Sequence, residues 1–320
     1  MLLTFVGMGM GQPGMADSAP LIVENQNPFI SVHGLARDMG ATITPEGKVA
    51  LSTAYSVASN FDLSEPGAEQ ITIDGESSRA SLRLMWGVTS NWEVGAEIPF
   101  VQHDGGYLDD LIIDWHDWFN LPQNGRDDAP RDQLLYAYTG PQGSVVLNNG
   151  ASGLGDIQLF AARALQSSEN ASTVLRAHIK LPTGDEDEFL GSGSMDAGIS
   201  LHHERKLNSW LGVGGWIGAS YLGDSDVLPG LSREIVGQGG VRSYVILNDV
   251  VTLKVQWDIH SQVYDETRLL QLNEIAYLLS FGGTLTFNDA HALDIVVVEN
   301  FPHPEISPDV AFQLNWRWTP

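Results

Sequence analysis

The sequence has no cysteine, little positive charge and no long apolar run. It has 16 lysines and arginines against 40 aspartates and glutamates, which gives a formal net charge of −24 over 320 residues. Because phosphate recognition needs clustered basic side chains, we expect no nucleic-acid partner. The absence of cysteine excludes disulfides, thiolate chemistry, zinc–thiolate sites and a lipid anchor on cysteine.

The longest apolar run, residues 1–10, is far shorter than the roughly 20 residues that a transmembrane helix needs. A small-residue step at Gly14-Met15-Ala16 follows it, which is typical of a secretory signal peptide. No basic residue precedes the run, so an upstream start or an unstructured terminus is the alternative. We expect residues 1–19 to be a signal peptide and residues 20–47 to be an irregular lead segment. Residues 48–320 should form one domain, which the lead segment plugs.

From Val49 onward, apolar and polar residues alternate with a period of two, as expected when a strand sends successive side chains to opposite faces. In the C-terminal stretch 310–318, four large apolar residues alternate with Gln313, Asn315 and Arg317. About twelve such stretches occur, each near the 9–11 residues that a tilted strand needs to cross a membrane. The period predicts an all-β fold.

Short and long connections alternate between these stretches. Three-residue turns at 89–91, 248–250 and 288–290 are predicted to pair the residues that flank them. Longer acidic connections lie between the turns, including residues 59–78 and 102–153. The pairs expected across the three turns are Val88 with Trp92, Leu247 with Val251 and Phe287 with His291.

Short turns at one end and long loops at the other are typical of outer-membrane barrels. The sequence therefore predicts a transmembrane antiparallel up-and-down β-barrel of about twelve strands, rather than a soluble β-sandwich. We expect it in the outer membrane of a Gram-negative bacterium, with lipid and lipopolysaccharide outside. We expect the barrel-assembly machinery to recognise the C-terminal strand.

The face predicted to point inward carries many charges, and buried charges need water or partners. Arg83 should lie opposite Glu97 in the first hairpin. Such a lumen is either a polar conduit or a space filled by cross-strand ion pairs that conducts nothing. The candidate lumen-lining residues are Arg83, Glu93, Glu97, Arg176, His178, Lys180, Arg242, Lys254, Asp258, His260 and Arg317.

The second long connection contains apolar residues at helical spacing, which predicts a short amphipathic helix. The helix could enter the barrel mouth as a constriction or docking site, or pack on the rim. No calcium-loop spacing accompanies its aspartates, so we expect no metal site and no cofactor. The candidate ligand or plug residues are Leu108, Trp115, Trp118 and Phe119 of this helix, with Asn25, Gln26, Asn27, Pro28 and Phe29 of the lead segment.

Catalytic motifs are absent from the sequence. It contains neither a Gly-x-Ser-x-Gly elbow nor a His-Glu-x-x-His helix. His260 and Ser261 are adjacent, so their side chains face opposite sides of a strand. The sequence therefore favours a protein that is not an enzyme.

Three motifs resemble the outer-membrane barrels of the meta-pathway phenol-degradation family: Gly153–Asp156 (GLGD), Leu181–Asp185 (LPTGD) and Leu190–Asp196 (LGSGSMD). The lead residues Asn25–Phe29 and the loop Gly106–His116 resemble an uncharacterised proteobacterial family of outer-membrane proteins over most of the chain. The resemblance implies a channel for small hydrophobic molecules, similar to long-chain fatty-acid and toluene transporters, with an N-terminal segment in the lumen.

We therefore expect passive uptake of a small hydrophobic solute across the outer membrane. The alternative is a non-conducting structural or adhesion barrel whose acidic loops bind cations. A weaker alternative is an envelope lipid hydrolase.

Overall fold

The computed structural model describes residues 18–119, 125–301 and 306–319. Within them the chain forms fifteen strands, two helices and one 3₁₀ turn at Arg126–Asp128. The helices are α1 Pro28–Ser31 and α2 Asp109–Phe119. The strands are β1 Val49–Ser64, β2 Gln70–Thr89, β3 Trp92–Asp104, β4 Leu135–Gly140, β5 Gly143–Leu147, β6 Ala151–Leu154, β7 Gln158–Ser167, β8 Ala171–Lys180, β9 Asp196–Lys206, β10 Leu211–Tyr221, β11 Ile235–Ile246, β12 Val251–His260, β13 Ala276–Asn288, β14 His291–Glu299 and β15 Val310–Trp318.

Twelve of the strands close into an antiparallel barrel in the order β1–β2–β3–β7–β8 and then sequentially to β15. The C-terminal strand β15 pairs with β14 on one side and with β1 on the other. Closure leaves these twelve wall strands without an unpaired edge, which a lipid environment could not hydrogen-bond. The predicted fold, with about twelve strands, is confirmed, and it is the architecture of outer-membrane barrels.

The two faces of the wall have opposite character. Leu253 and Val255 on β12 are 49% and 51% exposed, whereas Lys254 and Gln256 between and beside them are buried. The same holds on β15, where Leu314 is half exposed and Asn315 is buried. The apolar face therefore points outward and the polar face inward, the reverse of a soluble protein.

The prediction that residues 59–78 form a loop was wrong. β1 and β2 continue through this stretch as a paired hairpin, with Ser59 opposite Glu76 and Leu63 opposite Thr72. The period of two persists there, but glycine and acidic residues hide it, because these strand ends extend beyond the apolar band. The predicted loop 102–153 likewise contains three short strands: β4 pairs with β2, β5 pairs with β4, and β6 pairs with β3.

Five short connections lie at one end of the barrel, which we call the short-turn end; the other is the long-loop end. The predicted pairs Arg83–Glu97 and Leu247–Val251 are confirmed. The other two flanking pairs were wrong, because Thr89 pairs with Trp92 and Asn288 with His291. A β-bulge in each hairpin shifts the register by one residue.

Residues 1–17, which hold most of the predicted signal peptide, lie outside the described residues. In the described part of the chain, no helix has the length and apolar character that a membrane span requires.

The outward face gives a first prediction. Val255 lies midway along β12 and is half exposed, so the substitution Val255→Lys would place a charge in the apolar core of a bilayer. We expect the free energy of unfolding in phospholipid vesicles to fall by about 2–4 kcal/mol, measured by urea titration.

The control is Val250→Lys in the short turn before β12, where Val250 is 52% exposed. A charge near the interface costs only about 0–1 kcal/mol. Equal effects of the two variants would contradict the assignment of this face to lipid.

Candidate functional site

The lead segment (residues 20–47) lies inside the barrel and first runs along β12 towards the long-loop end. The Leu21 backbone both donates to and accepts from the Gln256 side chain, at 3.1 and 2.9 Å. Further along, Asn25 Nδ2 is 3.1 Å from His260 Nε2. Successive inward residues of β12 therefore bind successive residues of the lead segment.

The segment turns at α1, at the long-loop end. Asn27 caps this helix by accepting from Phe29 N at 3.0 Å, and Pro28 follows at the first helical position. Phe29 packs edge-on against Phe189, with ring centroids 5.2 Å apart, and its carbonyl accepts from Tyr264 Oη at 2.5 Å. α1 thus lies in an apolar cluster that the long loops form across this end of the barrel.

The segment then returns along β8 and β3 to the short-turn end. The Gly34 carbonyl is 2.8 Å from His178 Nε2, and Arg176 donates to the Thr42 carbonyl at 2.5 Å. Thr44 N donates to Glu93 at 2.7 Å. Because β12 and β1 both begin at the short-turn end, the lead segment is a hairpin inserted from that side.

Two adjacent lead residues of opposite charge cross the middle of the lumen. Arg37 donates to Glu97 of β3 at 2.7 Å and to Glu24 at 2.8 Å. Asp38 accepts from Arg242 of β11 and lies 3.1 Å from His202 Nδ1. The side chains of Arg37 and Asp38 are 8% and 1% exposed, so these are buried pairs that fix the segment laterally.

Burial raises the pKa of Asp38, but Arg242 and His202 outweigh it and lower the pKa to about 2. The carboxylate is therefore ionised throughout the physiological range. Because the pKa is depressed, the stabilisation from the ionised Asp38 is fully present above the ordinary carboxyl pKa and is lost progressively as the pH falls from there through about 2. Burial also lowers the pKa of His33 to about 3, so its ring is neutral where it meets Tyr264 at 3.0 Å.

The three sequence motifs meet around one lysine. Lys180 donates to Asp156 at 2.5 Å, contacts Ser192 and lies 3.2 Å from Asp196. Asp156 also accepts from the backbone N of Gly184 at 2.8 Å. The motifs therefore fold into one buried cluster.

This cluster also binds the lead segment. Lys180 donates to the Val32 carbonyl at 3.0 Å, and Gly34 N donates to Asp196 at 2.7 Å. A Cβ on Gly34 would stand 2.8 Å from Lys180 Cβ, so only glycine permits this approach.

The structure places the candidate lumen residues on the inward face. They are buried, except that Arg317 is partly accessible at 12%. Each is engaged by the lead segment or by a wall neighbour; for example, Asp258 accepts from Trp216 Nε1 at 2.8 Å. The charged lumen of the sequence prediction is thus filled by ion pairs and by the lead segment.

The predicted amphipathic helix is α2, and it lies outside the barrel rather than in its mouth. Leu108 and Ile112 pack against Val57 and Val310 on the outer face of β1 and β15. Trp118 is 84% exposed. The outward position follows from Val57, whose side chain shares the lipid-facing side of β1. The side chains of Trp115 and Phe119 lie outside the described part of the structure.

A Ser–His–Asp array was not foreseen from the sequence. Ser200 Oγ is 2.8 Å from His202 Nε2, and His202 Nδ1 is 3.1 Å from Asp38. The spacing of Ser200 and His202 puts both on one face of β9, but nothing in the sequence brings Asp38 to them. His202 is fully buried and Ser200 is 6% exposed, so the array has almost no surface for a substrate.

Among the residues that the structure describes, no group of three or more histidines and carboxylates could hold a metal ion. The acidic loop Asp185–Glu188 instead makes local turns, in which Asp185 accepts from Asp187 N at 3.0 Å.

Residues 10–319 match the family described as "Protein of unknown function (DUF3187)". No curated protein matches the chain. Among solved structures, the chain is similar to the COG4313 outer membrane channel from Pseudomonas putida F1, with 13% identity, a TM-score of 0.59, and coverage of 87% of this chain and 97% of that one. The Ralstonia pickettii toluene transporter TbuX has 10% identity, a TM-score of 0.43, and coverage of 85% and 89%. These likenesses concern the fold.

The crossing pairs give a second prediction. Asp38→Asn leaves Arg242 buried without its main counter-charge, a change that typically costs about 3–5 kcal/mol. We expect the undocked population of the lead segment to rise by roughly 100-fold or more. Because the chain has no cysteine, the rate of maleimide labelling at Ala36→Cys, a buried lead position, measures undocking.

The matched control is Glu65→Gln, the same kind of charge removal at an exposed hairpin residue. An Asp38→Asn labelling rate equal to that of the control would show that the pair does not hold the segment.

Proposed function

This chain belongs to the DUF3187 family, whose function is unknown, and we propose that it is an outer-membrane channel for passive uptake of small hydrophobic molecules. The observation that carries the proposal is the lead segment, a hairpin that enters the lumen from the short-turn end. It is held by hydrogen bonds and buried ion pairs and is not part of the closed wall. A barrel with only a structural role has no need of a removable lumen segment.

Buried ion pairs contribute little net stability compared with apolar packing, so the segment is held specifically without being held tightly. α1 is embedded in the apolar cluster at the long-loop end, and Leu21 and Val23 pack in a smaller apolar cluster on the barrel wall. We infer that displacement of the segment opens the lumen. The residues Asn25, Gln26, Asn27, Pro28 and Phe29 then act as the gate at the long-loop end.

Two features favour an apolar solute. The long-loop end is covered by aromatic and aliphatic side chains around Phe29, Phe189 and Tyr136, which an apolar solute can cross without losing hydrogen bonds to water. On the outer rim, α2 presents Leu111 and Trp118, which are 54% and 84% exposed. We propose that α2 collects solute at the membrane interface, as amphipathic helices with exposed aromatics bind there.

A third prediction tests the channel. In intact Gram-negative host cells, lipopolysaccharide slows apolar probes, so the fluorescence of N-phenylnaphthylamine reports their passage. We expect faster uptake in cells making the native chain than in empty-vector cells. Uptake should be faster still in cells making Asp38→Asn, and cells making Glu65→Gln should take up the probe at the native rate.

Equal uptake in native, Asp38→Asn and empty-vector cells would leave the non-conducting structural or adhesion barrel. The filled lumen is the observation that favours this alternative.

For either function, we propose that β15 carries the signal for the barrel-assembly machinery.

The Ser200–His202–Asp38 array favours one further candidate, an envelope hydrolase, because its order of contacts is that of a catalytic triad. Its burial and the diversion of Asp38 to Arg242 argue for a structural role. We therefore predict that a fluorophosphonate probe does not label the native protein in detergent, as read by intact mass. Labelling that disappears in Ser200→Ala would establish the hydrolase instead.

A further inference from the structure

The lead segment divides the space inside the barrel, and the part beside β1, β2 and β15 is basic. On the other side of the segment, a cavity of about 40 Å³ lies against Trp216, Asp258 and His260. An upper cavity of about 20 Å³ lies between the segment and the wall of β1, β2 and β15. A lower cavity of about 160 Å³ opens towards the short-turn end. Ile22, Ser52 and Arg83 line both cavities, which are therefore adjacent; we call the two together the crevice.

The crevice exists because the wall side chains there are small. Ser52, Ala54 and Ser56 of β1 and Ser81 of β2 face the upper cavity. On the opposite side of the lumen, long side chains such as His178 and Gln256 reach the lead segment directly. The segment is hydrogen-bonded to β8 and β12 and leaves a gap beside Ser52 and Ala54 of β1, above which Ser56 Oγ donates to Gln26 at 3.0 Å.

Arginines dominate the lining. Five arginines and three carboxylates line the crevice. Arg317 is paired with Asp294 behind the lining at 2.8 Å, so the arginines and their carboxylate partners together carry a net charge of 5 − 4 = +1. The arginines are Arg37, Arg79, Arg83, Arg176 and Arg317, and the carboxylates are Glu24, Glu93 and Glu97. This excess stands out in a chain whose net charge is −24.

The arginines share too few carboxylates to satisfy their donors. In the upper cavity three arginines share two carboxylates. Arg37 and Arg83 both donate to Glu97 Oε2, while Glu24 lies 2.6 Å from Arg79 and 2.8 Å from Arg37. Arg37 Nε is buried without a hydrogen-bond acceptor among the described residues. Each guanidinium has five N–H donors, so these three arginines can accept a further anion.

The lower cavity is amphipathic. Its lining includes Ile22, Met39, Ile43 and Met85 beside the guanidinium of Arg83. An apolar body fits against the methionines and isoleucines, while a charged group points up to the arginines. A planar carboxylate matches the guanidinium fork.

Building on the proposed channel function, we infer that its solutes are small amphipathic carboxylates, with the carboxylate bound at Arg37, Arg79 and Arg83. Once the gate residues Asn25–Phe29 move, the crevice is the path by which the solutes reach the periplasmic side, while the rest of the lead segment stays docked against β8 and β12. The arginines select for anions.

Single channels in planar bilayers test this with benzoate and its neutral isostere benzamide. In a KCl gradient, we expect the reversal potential of the native protein to show chloride preference. Benzoate should block the current and benzamide should not. Because a hydrogen bond to a charged group contributes about 1.5–3 kcal/mol, Arg79→Gln should weaken the benzoate block by about tenfold or more.

Arg79→Lys, which keeps the charge, should retain chloride preference and lose part of the benzoate block. The control Arg268→Gln removes the same charge from an exposed residue of the loop between β12 and β13, and should match the native protein. Gel mobility with and without heating confirms that each variant folds as a barrel.

Potassium preference, or equal block by benzoate and benzamide, would overturn this inference and leave the channel proposal intact. An absence of current in both the native protein and Asp38→Asn would overturn the channel proposal, and this inference with it.

Discussion

The lipid core of a membrane accepts no hydrogen bonds, and the rest of this structure depends on that constraint. It forces the strands to close, which β15 achieves by pairing with β1. It also forces the polar half of each alternating strand inward, so charges collect in a space too small to hydrate them freely. A barrel of this kind must therefore supply counter-charges inside itself, or leave room for water.

The lead segment supplies much of what water would supply in a wider barrel. Its carbonyl groups accept from Lys180 and Arg176, and its Gly34 amide donates to Asp196. Asp38 neutralises Arg242, and Arg37 contributes to the neutralisation of Glu97. A segment held in this way is positioned by many directional contacts, yet it remains exchangeable, because water could make the same contacts after the segment moves.

The sequence predicted the barrel because its period of two survives along every wall strand. The extension of β1 and β2 was missed because Asp62, Asp74 and Gly75 interrupt the apolar pattern where the strands leave the bilayer. Polar residues at that point indicate a strand that enters water, rather than a loop. The lead segment was expected in the lumen, but its partners were not identifiable. Arg37 and Asp38 are two ordinary charges in an irregular stretch, and their partners lie on strands β3 and β11, far away in sequence. The same long-range closure brings Asp38 to Ser200 and His202.

The asymmetry of the lumen links these points to function. Long side chains on β8, β9, β11 and β12 take up the lead segment, while Ser52, Ala54 and Ser81 cannot reach it. If the segment served only to fill the barrel, larger residues at those positions would fill the gap and gain the contact energy of a packed interior. Instead the gap is lined with arginine, and Arg79 and its partner Glu24 keep 12% and 28% of their side chains accessible there. A cavity that carries an excess of buried positive charge is costly unless an anion enters it, so the wall of β1 and β2 is better explained by a passing solute than by packing.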